Sequence, residues 1–502
     1  MDSVTIRAQG WSVALVRSGP VRFAQRTSSS GQETDAATDW GRVGVEQAAV
    51  TELRASLHGE VIDRLHPGYD QARKVWNGLI DRHPAAIARC AETADVVEAV
   101  RIAHERRPTL SIRGGGHQVA GSAVCDDGLV IDLSAMRGVQ VDLGAGRVWA
   151  QGGVTWGELD RETQVFGLAT TGGEVSTTGI AGFTLGGGLG VLMRAYGLAC
   201  DNLRSIKIVT ADGAVRTASR HENADLFWAA RGGGRGLGVV TSFEFDLHPL
   251  GSEVAAAQVL YRFEEAPRVV RAFRNTALES PDEVAPELFL WSVPADPEIP
   301  QELHGSPVVY VGAVYAGPAD EAEATLAPLR SLGPPLLDTT GLFPYVELQS
   351  GADEAFPVGG RYYMKSHFLD ELSDAGIDTL LEWYAQRPTA ETLIAIRTLG
   401  GAVARVGDAE SAFAHRSARF NLSIDATWVD PAMDEVAIGW ARSTWQEMRA
   451  FSNGGVYLNF SGLDAEAEDL RGAVQGSNEL RLAEIRHAYD PQGVFAAAAG
   501  RP

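Results

Sequence analysis

From Pro84 onward, short apolar runs alternate with stretches of helical period. AAIARC predicts a strand. ADVVEAVRIAHERR, with apolar positions three and four apart, predicts an amphipathic helix, and TLSIRGGG predicts a second strand closed by glycines. GLVIDLS, GVQVDL and RVWAQGG follow as further short strands. The glycine-rich DLGAGR between the last two reads as a hairpin turn. TWGELDRETQVFG predicts a helix with Thr155 at its N-cap and Glu158 three residues on, a capping box. NLRSIKIVTADGAVRTAS predicts a hairpin turned at Asp212-Gly213. Before this block, the Ser-, Thr-, Gln- and Gly-rich residues 1–55 show no sustained period and read as a flexible tail.

The pattern changes near residue 251. AAAQVLYRF, LFLWSVP, PVVYVGAVY, RYYMKSHF and NLSIDATW are alternating runs. They are interleaved with the amphipathic stretches DEAEATLAPLRSL, AGIDTLLEWYAQR and AIGWARSTWQEMRAF. The fold class is therefore α+β, with an antiparallel sheet covered by helices over residues 251–450. The last segment, 451–502, matches neither block and is expected to return to the first one, residues 56–250.

Composition narrows the function classes. The 502 residues carry a formal net charge of −22, which disfavours binding to nucleic-acid phosphates. No window approaches the ~18 apolar residues of a membrane-spanning helix, and the N-terminal stretch does not read as a secretory signal. The three cysteines, Cys90, Cys125 and Cys200, form no C-x-x-C pair. Neither a disulfide scaffold nor a structural zinc site is expected, and no other metal site stands out. The compartment expected is the cytoplasm.

Glycines cluster at Gly114–Gly116, Gly186–Gly190 and Gly232–Gly238. None forms the strand, G-x-G-x-x-G and helix of a nicotinamide site. Three clusters in one block suggest a long ligand lying along exposed backbone N–H groups, such as a dinucleotide diphosphate. IRGGGHQVAG, VIDLSAM, TTGGEVSTTGIAGFTLGGGLGVLMRAYGLACDNL, NADLFWAARGGGRGLGVVTSFEF, VYLNF and YDPQGVF occur in that order. Together they resemble the FAD-linked oxidases of the p-cresol methylhydroxylase and vanillyl-alcohol oxidase type, in the berberine-bridge-like branch. The resemblance implies a two-part FAD-binding domain, residues 56–250 with 451–502, and an inserted α+β substrate domain, 251–450. It also implies an oxidase that moves a hydride from a small organic substrate to FAD and electrons on to dioxygen. The alternatives are a flavin-dependent oxygenase of secondary metabolism and a non-catalytic flavin-binding protein.

Carried over residue by residue, the resemblance makes His117 the covalent 8α-histidyl attachment point. The implied cofactor contacts are Arg113, Gly114, Gly115, Gly116, Gln118, Gly172, Val175, Thr177, Thr178, Gly179, Gly182, Gly186, Gly187, Gly236, Gly238, Val240, Tyr457 and Asn459. Relatives often carry a second, cysteinyl link in a C-x-x-x-G segment. Here that segment is Val175 to Gly179, so one link is expected. Two further departures are Arg235-Gly236 in place of the usual Gly-Asn, and the C-terminal AAAAGRP. For catalysis the expected groups are Tyr457 as base, Thr178 near the reactive flavin edge, and Lys365. Asn459 is expected beside Tyr457 on one strand face, and Tyr363 and His367 to share the face of Lys365 in the substrate wall.

Overall fold

The computed structural model describes residues 47–294, 301–462 and 472–495. The expected tail over 1–46 and the terminal AAAAGRP lie outside them. The tail does not reach 55, however. Gln47–Ser56 is a helix whose Ala49, Val50 and Leu53 are buried against the helix Thr93–Arg106. Three apolar positions on one helical face suffice to dock it.

Three sheets organise the chain. In the first, strands Ala86–Arg89, Leu129–Asp132 and Leu110–Arg113 run parallel, and Glu60–Asp63 pairs antiparallel at the edge. The second is antiparallel, in the order Val139–Asp142, Arg147–Gln151, Val239–Asp246, Leu203–Val209 and Val215–Ser219. Both expected hairpins belong to it, and the Thr155–Glu158 capping box forms as read. The last segment packs on both sheets. Leu482 and Ile485 of the helix Glu479–Tyr489 join the core of the second, and Val494 and Phe495 that of the first.

The third sheet is antiparallel throughout and includes Glu253–Arg262, Pro307–Tyr315, Val284–Ser292, Leu393–Thr398, Phe420–Trp428 and Arg361–Leu369. Helices Ala266–Glu279, Ala322–Arg330, Asp374–Ala385 and Asp434–Met448 bury their apolar faces on one side of it. In Phe420–Trp428 the even positions Phe420, Leu422, Ile424, Ala426 and Trp428 join that helix-covered core. The odd positions Asn421, Ser423, Asp425 and Thr427 are polar and equally buried. A sheet with two buried faces, one of them polar, is built to border a site.

Candidate active site

Strand Leu110–Arg113 delivers the three glycines to a crossing of two loops. A Cβ on Gly115 would lie 2.4 Å from the Gly179 nitrogen, so the two backbones touch where no side chain fits. Just beyond, His117 stacks on Trp76 with ring centroids 4.6 Å apart. Its Nε2 is 2.7 Å from Thr177 Oγ1, and its Nδ1 is 3.4 Å from Thr178 Oγ1. Burial pushes its pKa down to about 3, so the imidazole is neutral and keeps a nucleophilic nitrogen at physiological pH.

His117 opens onto a cleft of about 1910 Å³, open mouth included. Of the expected residues, Gly114–Gln118, Val175, Thr178, Gly179, Gly182, Gly186, Gly236, Gly238, Val240 and Asn459 line it. Arg113, Gly172 and Gly187 do not. The Arg113 guanidinium is turned under the sheet, where it donates to the Ala72 and Arg73 carbonyls beside Asp132. Gly172 packs on Trp156 and Gly187 on Phe413. Thr177 borders a separate cavity, and its hydroxyl meets the site through His117.

The expected catalytic groups need larger corrections. VYLNF is not a strand, since Leu458–Phe460 is a single 3-10 turn. Tyr457 is 1 % exposed, and its hydroxyl oxygen accepts from the N–H groups of Gly188 at 3.2 Å and Leu189 at 3.1 Å and from Asn459 Nδ2 at 2.7 Å. Burial drives its pKa up to about 12. Tyr457 is thus a neutral strut under the glycine loop, while Asn459 reaches the cleft.

Lys365, Tyr363 and His367 share a face, but it is the helix-covered one. They pair across the sheet with Ile424, Ala426 and Leu422 of that core. Lys365 Nζ lies 3.9 Å over the Trp445 ring, His367 Nε2 is 2.9 Å from the Trp445 carbonyl, and the Tyr363 hydroxyl accepts from Arg442 Nε at 3.1 Å. The alternation was read correctly and assigned to the wrong side.

The cleft side of the sheet supplies residues that were not anticipated. Met364 pairs with Asp425, and Glu287 pairs with Arg397. Asp425, Arg397 and Glu174 line the cleft. Arg397 sits 3.8 Å from both Glu174 and Glu287. Burial and the neighbouring Glu174 charge push the Glu287 pKa well above the usual carboxylate range. Burial raises Asp425 to about 6, against the hydrogen bond that Ser423 donates to it. A second cavity, with Phe289, Trp291 and Tyr310 in its walls, shares Glu174, Phe289, Ala352 and Phe356 with the cleft.

The residues present fit a dinucleotide. Gly182 lies in the helix Ile180–Leu185, and a Cβ there would meet open space in the cleft. Both amide atoms of Gln118 are buried without a hydrogen-bond partner. Orphaned polar atoms beside an unfilled glycine track mark a place for a polar ligand.

Comparison with known proteins agrees. Residues 84–219 match the FAD binding domain family. An FAD-linked oxidoreductase from Dictyostelium discoideum is 30% identical over 455 residues, covering 89% of this chain and 95% of that protein. (R)-6-hydroxynicotine oxidase from Paenarthrobacter nicotinovorans is 34% identical over 295 residues, 58% of this chain and 62% of that one. The crystal structure of 6-hydroxy-D-nicotine oxidase from Arthrobacter nicotinovorans superposes with a TM-score of 0.78 at 27% identity, over 88% of this chain and 97% of that one. A Physcomitrella patens protein named BBE-like 1 shares the fold with a TM-score of 0.79 at 22% identity, over 89% and 97% of the two chains. With its glycine loops, its cleft and these relatives together, the chain belongs to the FAD-linked oxidoreductases.

Proposed function

We propose that this enzyme is an oxidase with FAD bonded covalently to His117, acting on a small alcohol or amine with a hydrophobic body. The observation that carries the reading is Asp425, a buried carboxylate of raised pKa facing the same cleft as His117. The bound flavin supplies a hydride acceptor that dioxygen can reoxidise.

Each residue then has a task. Gly116 and Gly182, where a side chain would meet little or nothing, leave room for the cofactor. His117, neutral and oriented by Thr177 and Thr178, holds the ring in place. A bond from its ring nitrogen to the 8α carbon would replace one N–H and one C–H, an overall two-electron oxidation for which dioxygen would serve as the oxidant. In turnover, the Asp425 carboxylate takes the substrate's O–H or N–H proton as the adjacent carbon gives up its hydride. A base with pKa near 6 is ionised at neutral pH and still accepts a proton readily. Arg397 Nη1, buried and without an acceptor among the described residues, is free to donate to a polar atom of the bound molecule. Phe289, Phe356 and Met364 form apolar walls that favour an aromatic or aliphatic body.

An oxygen-consumption screen over aromatic alcohols, cyclic amines and sugars tests this. The expected result is turnover of an apolar alcohol or amine with one peroxide per substrate. Incorporation of label from ¹⁸O₂ into product would make the enzyme an oxygenase instead.

A further inference from the structure

One charge in the cleft has nothing to balance it. Arg235, in RGGGRGLG, lines the cleft between Gly234 and Gly236. Its guanidinium has no hydrogen-bond acceptor and no carboxylate partner among the described residues. Other arginines with little exposure among the described residues have partners. Arg231 and Arg416 pair with Asp201, Arg397 faces Glu174 and Glu287, and Arg194 is held by the carbonyls of Val284, Leu399 and Ser280. The charged neighbour that Arg235 does have is like-charged. Arg486, on the C-terminal helix, is fixed by the Arg235 and Gly233 carbonyls at 3.1 and 2.6 Å. Burial together with Arg486 depresses the Arg235 pKa to about 10. A half-buried guanidinium beside a like charge, with no counter-ion among the described residues, is a favourable place for an anion.

Two anions are possible in this cleft, the cofactor diphosphate and an anionic substrate. The wall contributed by the third sheet decides between them. Its Asp425 faces the cleft together with the loop residue Glu174 and a single Arg397, a setting that disfavours an anionic substrate. Arg235 stands in the other wall, beside the glycine track. Gly234 N donates to the Leu185 carbonyl at 2.9 Å, at the end of the helix that carries Gly182.

We propose that Arg235 is the ionic anchor for the FAD diphosphate, a cation set directly before Gly236 in the glycine track, and that it captures the cofactor before and independently of the His117 bond. The inference rests on the cleft being the FAD site, as proposed above. A fixed guanidinium suits this role because it can donate two N–H groups to paired phosphate oxygens.

The test is binding of FAD, ADP and riboflavin by the full-length apoprotein carrying His117→Ala, with and without Arg235→Gln, at low and high salt. Loss of one charge-assisted contact predicts roughly tenfold to hundredfold weaker FAD and ADP binding at low salt. Riboflavin, which has no phosphate, should bind unchanged, and the salt dependence of FAD binding should flatten. Arg235→Lys should recover part of the loss, which rules out simple misfolding. Equal weakening of FAD and riboflavin, or an unchanged FAD affinity, would overturn the proposal. If the wild-type protein releases its FAD in acid, the covalent link to His117 fails, and the same titration on wild-type apoprotein still judges Arg235.

Discussion

Met364 and Asp425 face each other across two antiparallel strands, and that pairing turns Asp425 toward the cleft while Lys365 and Ile424 turn toward the helices. Asp425→Asn keeps the shape of the side chain and removes the proton acceptor. Flavin reduction by substrate should slow by about 10²–10⁴-fold with little change in substrate affinity, measured by anaerobic stopped flow.

The same carboxylate sets a pH profile. Its pKa is raised to about 6, so the fraction of working base falls as pH drops through 6. The rate of flavin reduction should show an acid limb near that value, and Asp425→Asn should abolish the limb. A limb that persists in the variant would assign it to another group.

Tyr457→Phe separates strut from base. It leaves the Gly188 and Leu189 N–H groups and the Asn459 amide without their shared acceptor, a loss of about 1–3 kcal/mol of stability. The melting temperature should fall while flavin reduction changes far less than in Asp425→Asn. The opposite pattern would restore Tyr457 as the base.

Much of the framework was legible in the chain, because hairpins, caps and alternating runs are local. The loop Gly114–Gln118 was legible too, since three glycines before a histidine have few uses. What local pattern cannot give is the side of a sheet. Lys365 and Asp425 both sit in alternating strands, and only the four helices packed on one face decide which of them borders the cleft. The signal that could have found Asp425 was the polar set Asn421, Ser423, Asp425 and Thr427 within an otherwise apolar strand, which reads by default as a solvated face and is in fact buried. Glu174, Glu287 and Arg397 come together from three separate segments, a juxtaposition no short window contains.

Two glycine substitutions should part in effect. Gly182→Leu places a side chain in open space within the cleft and replaces a poor helix former with a good one. The apoprotein should remain at least as stable while its flavin-to-protein ratio falls. Gly115→Ala instead drives a methyl into the Gly179 backbone and should cost stability itself, about 1–3 kcal/mol, seen as a lower denaturation midpoint.

The covalent bond proposed at His117 is the most direct point of attack. The purified protein should be precipitated in acid, digested with trypsin and analysed by mass spectrometry. The account predicts a yellow pellet and one peptide, the one containing His117, heavier by the mass of FAD or its phosphate-cleaved remnant. FAD recovered quantitatively in the acid supernatant, with the His117 peptide unmodified, would contradict it.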